Sequence, residues 1–371
     1  MKSIGIIDHV GRKSGIDYYS GELAKGFVQN GVEVDIFSNF KIQYSGVKNY
    51  EYFPFFIENK FKQFFSLFRA YVKSARKCRQ KKISIVIVHL FTAQFFYMIF
   101  LILLKLYGIK MIVISHDVES FARDEKSIFK YIIYNYLAFH VVVHNQFSYK
   151  SILKYCKRPE KISVIQQGGY INLIDNSVSR EFARETLGFT SENKVILFFG
   201  QIKKVKRLDL LLKAVPKLQN GAIILIAGKV WKDSFDKYQE LIEKLGIENN
   251  IIKHIRYIDD NERELFLKSA DILVLPYEEI FQSAVLLMGM SYRLAVIASD
   301  IEAFSEVING KNGLLFKSGN AYDLSKTINK LLENPQKIKN VADEGYNTIM
   351  EKFSWTNIAA EYISKVKLDN L

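Results

Sequence analysis

The sequence predicts two doubly wound α/β domains, each a Rossmann-like parallel sheet between helices, that face each other across a cleft. The chain has 371 residues, which suits two domains of roughly 150 residues each. Its short apolar runs do not alternate with polar residues, and segments of helical period separate most of them. Such runs are typical of strands in parallel sheets that helices cover on both faces. Because these sheets bind ligands beyond the carboxyl ends of their strands, functional motifs should follow strands directly.

Twelve strands are predicted in two sets of six. The first set is 3–7, 33–37, 83–89, 110–115, 140–144 and 161–165. The second set is 194–199, 222–227, 251–255, 272–275, 294–298 and 313–316. Helical period marks 19–30, 208–218, 234–245, 261–268, 321–333 and a final amphipathic segment at 355–366. We therefore expect a first domain over residues 1–172, a second over 185–352, and a C-terminal helix within 353–371 that could pack back on the first.

Composition indicates a folded chain in a reducing, cytoplasmic compartment. Apolar residues make up 49% of the sequence, which excludes a disordered protein. Cys78 and Cys156 stand in unrelated contexts, so neither a disulfide framework nor a metal-binding spacing is present. The N-terminus lacks the apolar region of a signal peptide. The most apolar run, 95–104, is shorter than the roughly 20 residues that span a bilayer, so we expect a buried helix there.

Positive charge is concentrated in the first half of the chain. Residues 1–170 contain 25 Lys and Arg against 12 Asp and Glu, whereas residues 171–371 contain 27 of each. A generally basic protein would not be so uneven. The distribution indicates a surface that meets an anionic partner.

The segment 59–82 holds nine of these cations and no acidic residue. The cations we expect to face a membrane are Lys60, Lys62, Arg69, Lys73, Arg76 and Lys77. The apolar side chains at helical spacing are Phe61, Phe64, Phe65, Phe68, Tyr71, Val72 and Ala75. Aromatic and cationic faces on one helix predict an interfacial helix on an anionic membrane. A surface helix packed on its own domain is the alternative, and no nucleic-acid-reading motif accompanies the charge.

Three loops that follow predicted strands have the composition of anion sites. The loop 10–15 (VGRKSG) ends in Gly15 and runs into a helix, where glycines let backbone amides approach a phosphate. The loop 200–207 crowds four cations ahead of a helix, against the helix dipole, and an anion would relieve that conflict. The loop 276–284 (PYEEIFQSA) precedes an apolar helix whose free amides would start near Ser283, with Glu279 just before them. An ordinary turn, a solvated basic turn and a simple helix cap explain the same three loops without a ligand.

A histidine, His116, directly follows the predicted strand 110–115. At the end of a strand in the first domain its side chain would project into the cleft, so we take it as a functional candidate. The neighbouring Asp117 and Glu119 form a single acidic pair, which we do not interpret as a metal site.

The order and spacing of these motifs resemble those of the GT-B-fold glycosyltransferases of glycosyltransferase family 4, over nearly the whole chain. The most specific stretches are Phe198–Ala214 and Ser269–Glu306. The second, SADILVLPYEEIFQSAVLLMGMSYRLAVIASDIEAFSE, is similar to the donor-binding segment of that family. The resemblance implies two Rossmann-like domains, a nucleotide-sugar donor and no essential metal or other cofactor. It also implies retaining transfer of a hexose from a UDP- or GDP-sugar.

By position, the resemblance implies roles for particular residues. Lys206 matches the lysine that holds the donor diphosphate, and the amides of Ser283 and Ala284 match those that meet its distal phosphate. Gly15 matches the N-terminal glycine loop. Glu279 matches the glutamate that contacts the donor sugar, and His116 matches the histidine near the reacting centre. Gly228, Tyr257 and Ile258 fall in loops that surround the base.

Three positions depart from the family pattern. Leu287 replaces the second glutamate of the motif, and with it the expected ribose contact is lost. Gln201 replaces an arginine, for which Lys203 could substitute, and Arg207 replaces a glycine. These changes leave the donor, and retaining or inverting stereochemistry, open.

The expected function is glycosyl transfer to a lipid-linked or growing saccharide in cell-surface polysaccharide assembly. The enzyme would act at the inner face of the cell membrane as a peripheral protein. A degenerate, non-catalytic partner of a membrane or of another enzyme is the main alternative. A sugar-nucleotide epimerase of similar architecture is a third.

Overall fold

The structure is a computed structural model that describes residues 3–11, 15–55, 57–119, 127–219 and 221–368. It divides into two compact units. The first comprises Met1–Gly168 together with Phe353–Leu371, and the second comprises Gly169–Lys352. Within the described residues, no helix is both long enough and apolar enough to cross a bilayer.

The first unit is built on a seven-stranded parallel sheet. Its strands are β1 (Ser3–Ile7), β2 (Glu33–Ser38), β3 (Val47–Glu51), β4 (Ile85–Leu90), β5 (Lys110–Ser115), β6 (His140–Val143) and β7 (Ile162–Val164). Their order in the sheet is β3-β2-β1-β4-β5-β6-β7. The helices of this part are α1 (Ile16–Gln29), α2 (Lys60–Gln80), α3 (Phe95–Leu106), α4 (Ser127–Ile132) and α5 (Gln146–Ile152).

Strand β3 was not predicted, so the expectation of six strands in this domain is wrong. It pairs in parallel with β2 at the edge of the sheet. Its sequence, VKNYE, contains no apolar run, and its side chains are exposed or half-buried. An edge strand with neither face fully covered does not need the continuous apolar pattern that marks the central strands.

The helix α3 differs from the expected buried helix because only one of its faces is covered. Met98, Leu101 and Leu104 are buried, whereas Phe95 and Phe96 at its N-terminus are more than half exposed, at 51% and 56%. Apolar content alone does not distinguish a helix buried on all sides from one that leaves an apolar face in solvent.

The second unit contains a six-stranded parallel sheet. Its strands are β8 (Lys194–Phe199), β9 (Ala222–Ala227), β10 (Ile251–His254), β11 (Ile272–Leu275), β12 (Ala295–Ser299) and β13 (Leu314–Phe316), in the order β10-β9-β8-β11-β12-β13. Its helices are α6 (Arg180–Thr186), α7 (Leu208–Ala214), α8 (Asp236–Leu245), α9 (Asp260–Ser269), α10 (Ala284–Ser291), α11 (Glu302–Ser305), α12 (Ala321–Leu332) and α13 (Pro335–Lys352).

The C-terminal helix, α14 (Trp355–Lys365), belongs to the first unit and packs on α1. The two helices approach closely at Gly26, where a Cβ would lie 2.3 Å from the Trp355 carbonyl oxygen. The Tyr19 and Tyr362 hydroxyls lie 3.2 Å apart in the same core. Glycine at position 26 is therefore what permits this contact.

In both sheets the strand order reverses once, beside β1 in the first and beside β8 in the second. At such a reversal, the loops after the two adjacent strands run in opposite directions and leave a crevice at the carboxyl edge. The crevice of the first sheet lies between the loops after β1 and β4. That of the second lies between the loops after β8 and β11.

Candidate active site

In the second unit, the predicted donor residues lie on loops after four neighbouring strands. Tyr257 and Ile258 follow β10, Gly228 follows β9, Lys206 follows β8 and the Ser283 turn follows β11. Since these strands are adjacent and parallel, all four loops lie at one edge of the sheet. The structure therefore brings Lys206 and Ser283 to the same crevice.

Lys206 is a buried cation in a short 3₁₀ turn, Lys204–Lys206, after β8. Its side chain lies over the ring of Tyr277, with Nζ 5.0 Å from the ring centroid. No carboxylate among the described residues forms an ion pair with it. Burial, and then the charge of Lys203, lower the pKa of Lys206 to about 7. A bound anion would reverse this penalty by supplying the missing opposite charge.

The Ser283 turn begins helix α10. Ser283 is buried, and its Oγ accepts a hydrogen bond from Leu286 N at 3.2 Å, so the residue is an N-cap. Ala284 is the first helical residue, and amides at this position lack acceptors within the helix. A hydrogen bond of 2.8 Å from Glu278 N to the Val205 carbonyl ties this loop to the Lys206 turn. Cationic charge and helix amides thus converge, which suits a phosphate group.

The three departures from the family pattern have distinct structural settings. Leu287 is buried within α10, and Gln201 is exposed. Arg207 adopts a left-handed backbone with φ of 50°, a conformation that favours glycine. Its guanidinium pairs with Asp209 at 3.0 Å and lies 3.6 Å from a Glu278 carboxylate oxygen.

The remaining predicted donor residues border this region. Gly228 has φ of 152°, and a Cβ there would lie 2.0 Å from the Gly200 carbonyl oxygen, so only glycine lets these two loops meet. Glu279 is exposed on the β11 loop. Tyr257 is 76% exposed, and its neighbour Ile258 is half-buried. These side chains are accessible to a ligand and make little contribution to the core.

Lys203 is half-buried near Lys206. Its Nζ lies 5.5 Å from the centroid of the Trp231 ring, and that ring is 42% exposed. An aromatic face beside two cations at the carboxyl edge of the sheet adds a stacking surface to the predicted anion site.

In the first unit, the loop after β1 carries Gly15, which caps α1 with φ of 71°. The predicted glycine-loop residues 12–14 lie outside the described residues. Asp8, at the start of this loop, accepts hydrogen bonds from the amides of Val10 and Gly11 through Oδ1, at 3.1 and 2.7 Å. A buried carboxylate therefore holds the described part of the loop.

His116 is buried at the end of β5, within a group of aromatic and imidazole rings. Its Nε2 lies 2.9 Å from His89 Nδ1, and Phe91 stacks on it with ring centroids 4.4 Å apart and 5° between planes. Burial holds the pKa of His116 well below its usual value, with the charges of His89 and His144 adding to the effect. The imidazole is therefore neutral at physiological pH.

A cavity of about 230 Å³ opens at the crevice between the loops after β1 and β4. It is lined by His9, Val10, His89, Phe91, Thr92, Gln94 and Tyr97. Polar and aromatic side chains at this edge can offer a hydroxylated ligand both hydrogen bonds and ring contacts.

Sequence patterns missed several residues that shape these two sites. Asp8, Ser20 and His89 are buried polar residues behind His116, and Tyr277 lies beneath Lys206. One signal was available for the first of them, because Asp8 directly follows a buried strand. The contacts of Ser20 and His89 join distant parts of the chain and leave no local pattern.

The predicted acidic pair after β5 is divided between two environments. Asp117 is exposed, whereas Glu119 pairs with Lys154 at 2.9 Å. In the part of the chain that the structure describes, no three His, Cys, Asp or Glu side chains are grouped to hold a metal ion.

The basic helix α2 has two different halves. In its C-terminal half, Tyr71 and Ala75 are buried, so these two predicted members of the membrane face instead pack on the protein. In its N-terminal half, Phe61 and Phe65 are 76% and 54% exposed. Phe64 packs on Phe96 of α3, with ring centroids 5.0 Å apart.

The predicted membrane-facing cations lie along both halves of α2. Lys60, Lys62 and Arg69 are exposed on the half of α2 that carries the exposed aromatics, and Arg76 is also exposed. Lys73 lies 5.9 Å from the Tyr52 ring centroid, and Lys77 lies 5.4 Å from that of Tyr50. We define the aromatic patch as Phe61, Phe65, Phe95 and Phe96.

Two family models match the chain and together account for both units. Residues 13–168 match Glycosyltransferase Family 4, and residues 179–348 match Glycosyl transferases group 1. An uncharacterized glycosyltransferase of Methanocaldococcus jannaschii is 26% identical over 190 residues, 50% of this chain and 47% of that protein. A D-inositol 3-phosphate glycosyltransferase of Corynebacterium aurimucosum is 26% identical over 219 residues, 56% of this chain and 51% of that protein. The chain spans about half the length of these curated relatives.

Solved structures match the fold over the full chain. Sucrose-phosphate synthase from Thermosynechococcus elongatus superimposes with a TM-score of 0.77 at 16% identity, covering 100% of this chain and 99% of that one. Anabaena HepE in complex with UDP-glucose gives 0.75 at 17% identity, with 100% of both chains covered. The sheets, the two family models and these neighbours agree. The chain belongs to the GT-B-fold glycosyltransferases of the family 4 type.

Proposed function

We propose that this protein transfers a hexose from a UDP- or GDP-sugar to a saccharide acceptor. The observation that carries the proposal is the pairing of buried Lys206 with the N-terminus of α10 in the crevice of the second sheet. The ammonium of Lys206 is buried, has a pKa of about 7 and has no ion-pair partner among the described residues. A bound anion would therefore stabilise its charged form. A nucleoside diphosphate supplies both the charge and the acceptor oxygens.

The site suggests how the reaction is accelerated. As the bond to the sugar breaks, negative charge grows on the departing diphosphate, and preformed cations and amides stabilise it without reorganising. Lys206, Lys203 and the amides of Ser283 and Ala284 fill that role. Glu279 positions the sugar through its hydroxyls. No metal is required by this scheme, and the family resemblance favours a retaining outcome.

The relatives support the choice of donor. The Anabaena HepE structures contain UDP, UDP with glucose, or UDP-glucose. We infer that the second unit of this chain binds a donor of the same class, with Gly228, Tyr257 and Ile258 near the base. Gly15 and His116 of the first unit are the acceptor-side candidates, and His116 helps to orient the sugar or the acceptor.

We further infer that the acceptor is lipid-linked and that the enzyme works as a peripheral protein on the inner face of the cell membrane. The aromatic patch and the cations Lys60, Lys62 and Arg69 support this inference, because exposed aromatic rings beside cations are typical of interfacial segments. A lipid-linked saccharide in cell-surface polysaccharide assembly suits such a location. The solved neighbour WaaG is described as a glycosyltransferase involved in lipopolysaccharide biosynthesis.

A non-catalytic, degenerate transferase is the second candidate. Leu287 and Gln201 favour it, because they replace two polar residues of the family pattern. Such a protein could bind a membrane or an enzyme without turning over a nucleotide sugar.

The test measures release of UDP or GDP by purified protein with nucleotide sugars and a lipid acceptor. Lys206→Ala is expected to lower turnover by at least about a hundredfold, the scale of losing a stabiliser of developing charge. Lys204→Ala is the matched control, since Lys204 is an exposed cation in the same turn, and it should retain activity. No turnover and no thermal shift with any nucleotide sugar would favour the non-catalytic candidate.

A further inference from the structure

A chain of four buried side chains links the end of β1 to the end of β5. The Ser20 hydroxyl donates to Asp8 Oδ2 at 2.7 Å. Ser20 Oγ lies 3.0 Å from His89 Nε2, and His89 Nδ1 lies 2.9 Å from His116 Nε2. All four residues are at most 7% exposed. The family resemblance gives His116 a place near the reaction, but it assigns nothing to the three residues behind it.

The direction of each hydrogen bond follows from the inventory of protons. Burial raises the pKa of Asp8, and the hydrogen bonds that its carboxylate accepts from the Ser20 hydroxyl and the amides of Gly11 and Val10 oppose this effect. We take Asp8 as ionised. An ionised carboxylate only accepts, and Oδ1 already accepts from the two backbone amides. The single proton of the Ser20 hydroxyl therefore goes to Oδ2, and Ser20 Oγ can only accept from His89. His89 must then carry its proton on Nε2. Its bare Nδ1 in turn requires a proton on His116 Nε2.

We propose that Asp8, Ser20 and His89 are positioning residues that fix His116 as the Nε2–H tautomer, so that its Nδ1 presents a lone pair to a sugar hydroxyl. The ligand class in this statement rests on the proposed function. The tautomer itself rests on the hydrogen-bonded chain and on an ionised Asp8.

The surroundings of His116 support a fixed ring. Phe91 stacks parallel on one side, and Tyr19 meets the ring nearly edge-on, with centroids 5.5 Å apart and 80° between planes. Burial lowers the pKa of His89 to about 3, so the His89 imidazole is neutral. With Nε2 engaged, Nδ1 is the nitrogen that remains for a ligand.

A neighbouring histidine provides an internal reference of the opposite kind. His144 Nδ1 lies 2.9 Å from the Ile165 carbonyl oxygen, which only accepts, so its proton must be on Nδ1. The His144 and His116 ring centroids are 5.2 Å apart. Two adjacent buried imidazoles are thus assigned opposite tautomers by their partners.

The experiment is ¹⁵N NMR of the full chain with labelled histidine, in which long-range proton–nitrogen correlations identify the protonated nitrogen of each ring. At pH 7.5 the wild type should show Nε2–H for His89 and His116 and Nδ1–H for His144. His116 protonated on Nδ1 in the wild type would overturn the proposal, and this observation needs no variant.

Asp8→Asn should reverse the direction of every hydrogen bond between position 8 and His116. The amide oxygen stays with the Val10 and Gly11 N–H groups, so the amide nitrogen faces Ser20 and donates to it. Ser20 then donates to His89 Nε2, and both His89 and His116 move their protons to Nδ1, while His144 does not change. Ser20→Ala should remove the hydrogen bonds between Asp8 and His89 without imposing this reversal. Unchanged tautomers in a folded Asp8→Asn protein would refute the relay.

Kinetic measurements test whether the tautomer of His116 matters for glycosyl transfer. Asp8→Asn should lower kcat for glycosyl transfer at least about tenfold, the scale of one hydrogen bond, with nucleotide affinity unchanged. A reversed tautomer with unaltered kcat would overturn the assigned role of Nδ1. Absence of transfer in the wild type would instead refute the proposed function, and the tautomer result would stand by itself.

Discussion

At the residue scale, the most informative side chain is Lys206. Most lysines remain fully charged at neutral pH, but burial and the nearby Lys203 lower the pKa of this one to about 7. The charged form of Lys206 is therefore unfavourable in the free protein, and a bound phosphate would stabilise that charged form.

This linkage predicts how nucleotide affinity changes with pH. A diphosphate stabilises the charged ammonium, so binding takes up a proton above pH 7, the pKa of Lys206 in the free protein. The dissociation constant for UDP or GDP should then rise by up to about tenfold per pH unit above that value. Lys206→Arg stays protonated and should lose this slope. Calorimetry in buffers of different ionisation enthalpy measures the proton uptake directly, and a flat wild-type profile would contradict the prediction.

Arg207 predicts a different residue-scale effect, on stability. Its φ of 50° is unfavourable for any residue with a Cβ. Arg207→Gly and Arg207→Ala lose the same ion pairs, but only alanine keeps the backbone cost, so the glycine variant should be more stable by about 1 kcal/mol. Urea unfolding checks the difference. At Glu240, an exposed position inside α8, the order should be the reverse, with alanine more stable than glycine.

At the element scale, α2 shows how one helix combines two environments. Its C-terminal half buries Ala70, Tyr71, Ser74, Ala75 and Cys78. Its N-terminal half begins at the Asn59 cap and leaves Phe61 and Phe65 in solvent beside the exposed start of α3. The helical period is continuous through both halves, so the sequence pattern did not separate packing from exposure.

The aromatic patch predicts membrane binding. Phe61→Ser combined with Phe65→Ser should weaken partitioning onto anionic vesicles by at least about tenfold, because each ring transfers apolar area out of water. Phe182→Ser is the control, as Phe182 is 56% exposed on α6 of the second unit. Vesicle co-sedimentation at low and high salt measures both contributions. Equal binding by the wild type and the double variant would exclude the patch as the contact surface.

At the scale of the whole molecule, both sheets place their chemical groups at the reversal of strand order. Lys206 and Ser283 follow the two strands on either side of the reversal in the second sheet. The cavity near His89 lies at the corresponding position in the first sheet. The location follows from the topology, whereas the residue types at each crevice determine what binds there.

Buried neutral histidines predict a loss of stability in acid. Burial lowers the pKa of His9, His140 and His144 to about 4 and that of His89 to about 3. The unfolded chain takes up these protons near pH 6.5, so the stabilisation is present above that pH and is lost as pH falls toward 4. Each histidine should contribute about 1.4 kcal/mol per pH unit to the slope. Burial also lowers the pKa of His116. The raised pKa of Asp8 acts in the opposite direction, but it is one group against these five buried histidines.

Urea unfolding between pH 7.5 and 5 tests this expectation. His140→Gln should remove about one histidine's share of the slope, since His140 lies in β6 away from the His116 group and bonds Ser163 at 2.9 Å. A free energy of unfolding that does not change over this range would show that the buried rings do not govern acid stability.

The sequence by itself determined the strand pattern and the sheet edge at which the candidate donor residues lie. Apolar runs such as Ile85–Leu90 mark central strands because both faces of a parallel sheet are buried, and this constraint is local to each run. The motifs after strands placed Lys206 and Ser283 at one edge, because the carboxyl ends of parallel strands meet at the same edge of a sheet. The half-exposed strand Val47–Glu51 was not predicted, because an edge strand does not require a continuous apolar run.

Only the tertiary structure decided the environment of each side chain. The link from Asp8 through Ser20 and His89 to His116 joins two helix or strand residues to two residues that directly follow strands. The lowered pKa of Lys206 depends on the burial of its side chain above Tyr277. The exposure of Phe61 and the burial of Tyr71 on one helix were likewise settled by what packs against each turn. Hydrogen bonding, desolvation and packing act between groups distant in sequence, so no local pattern encodes them.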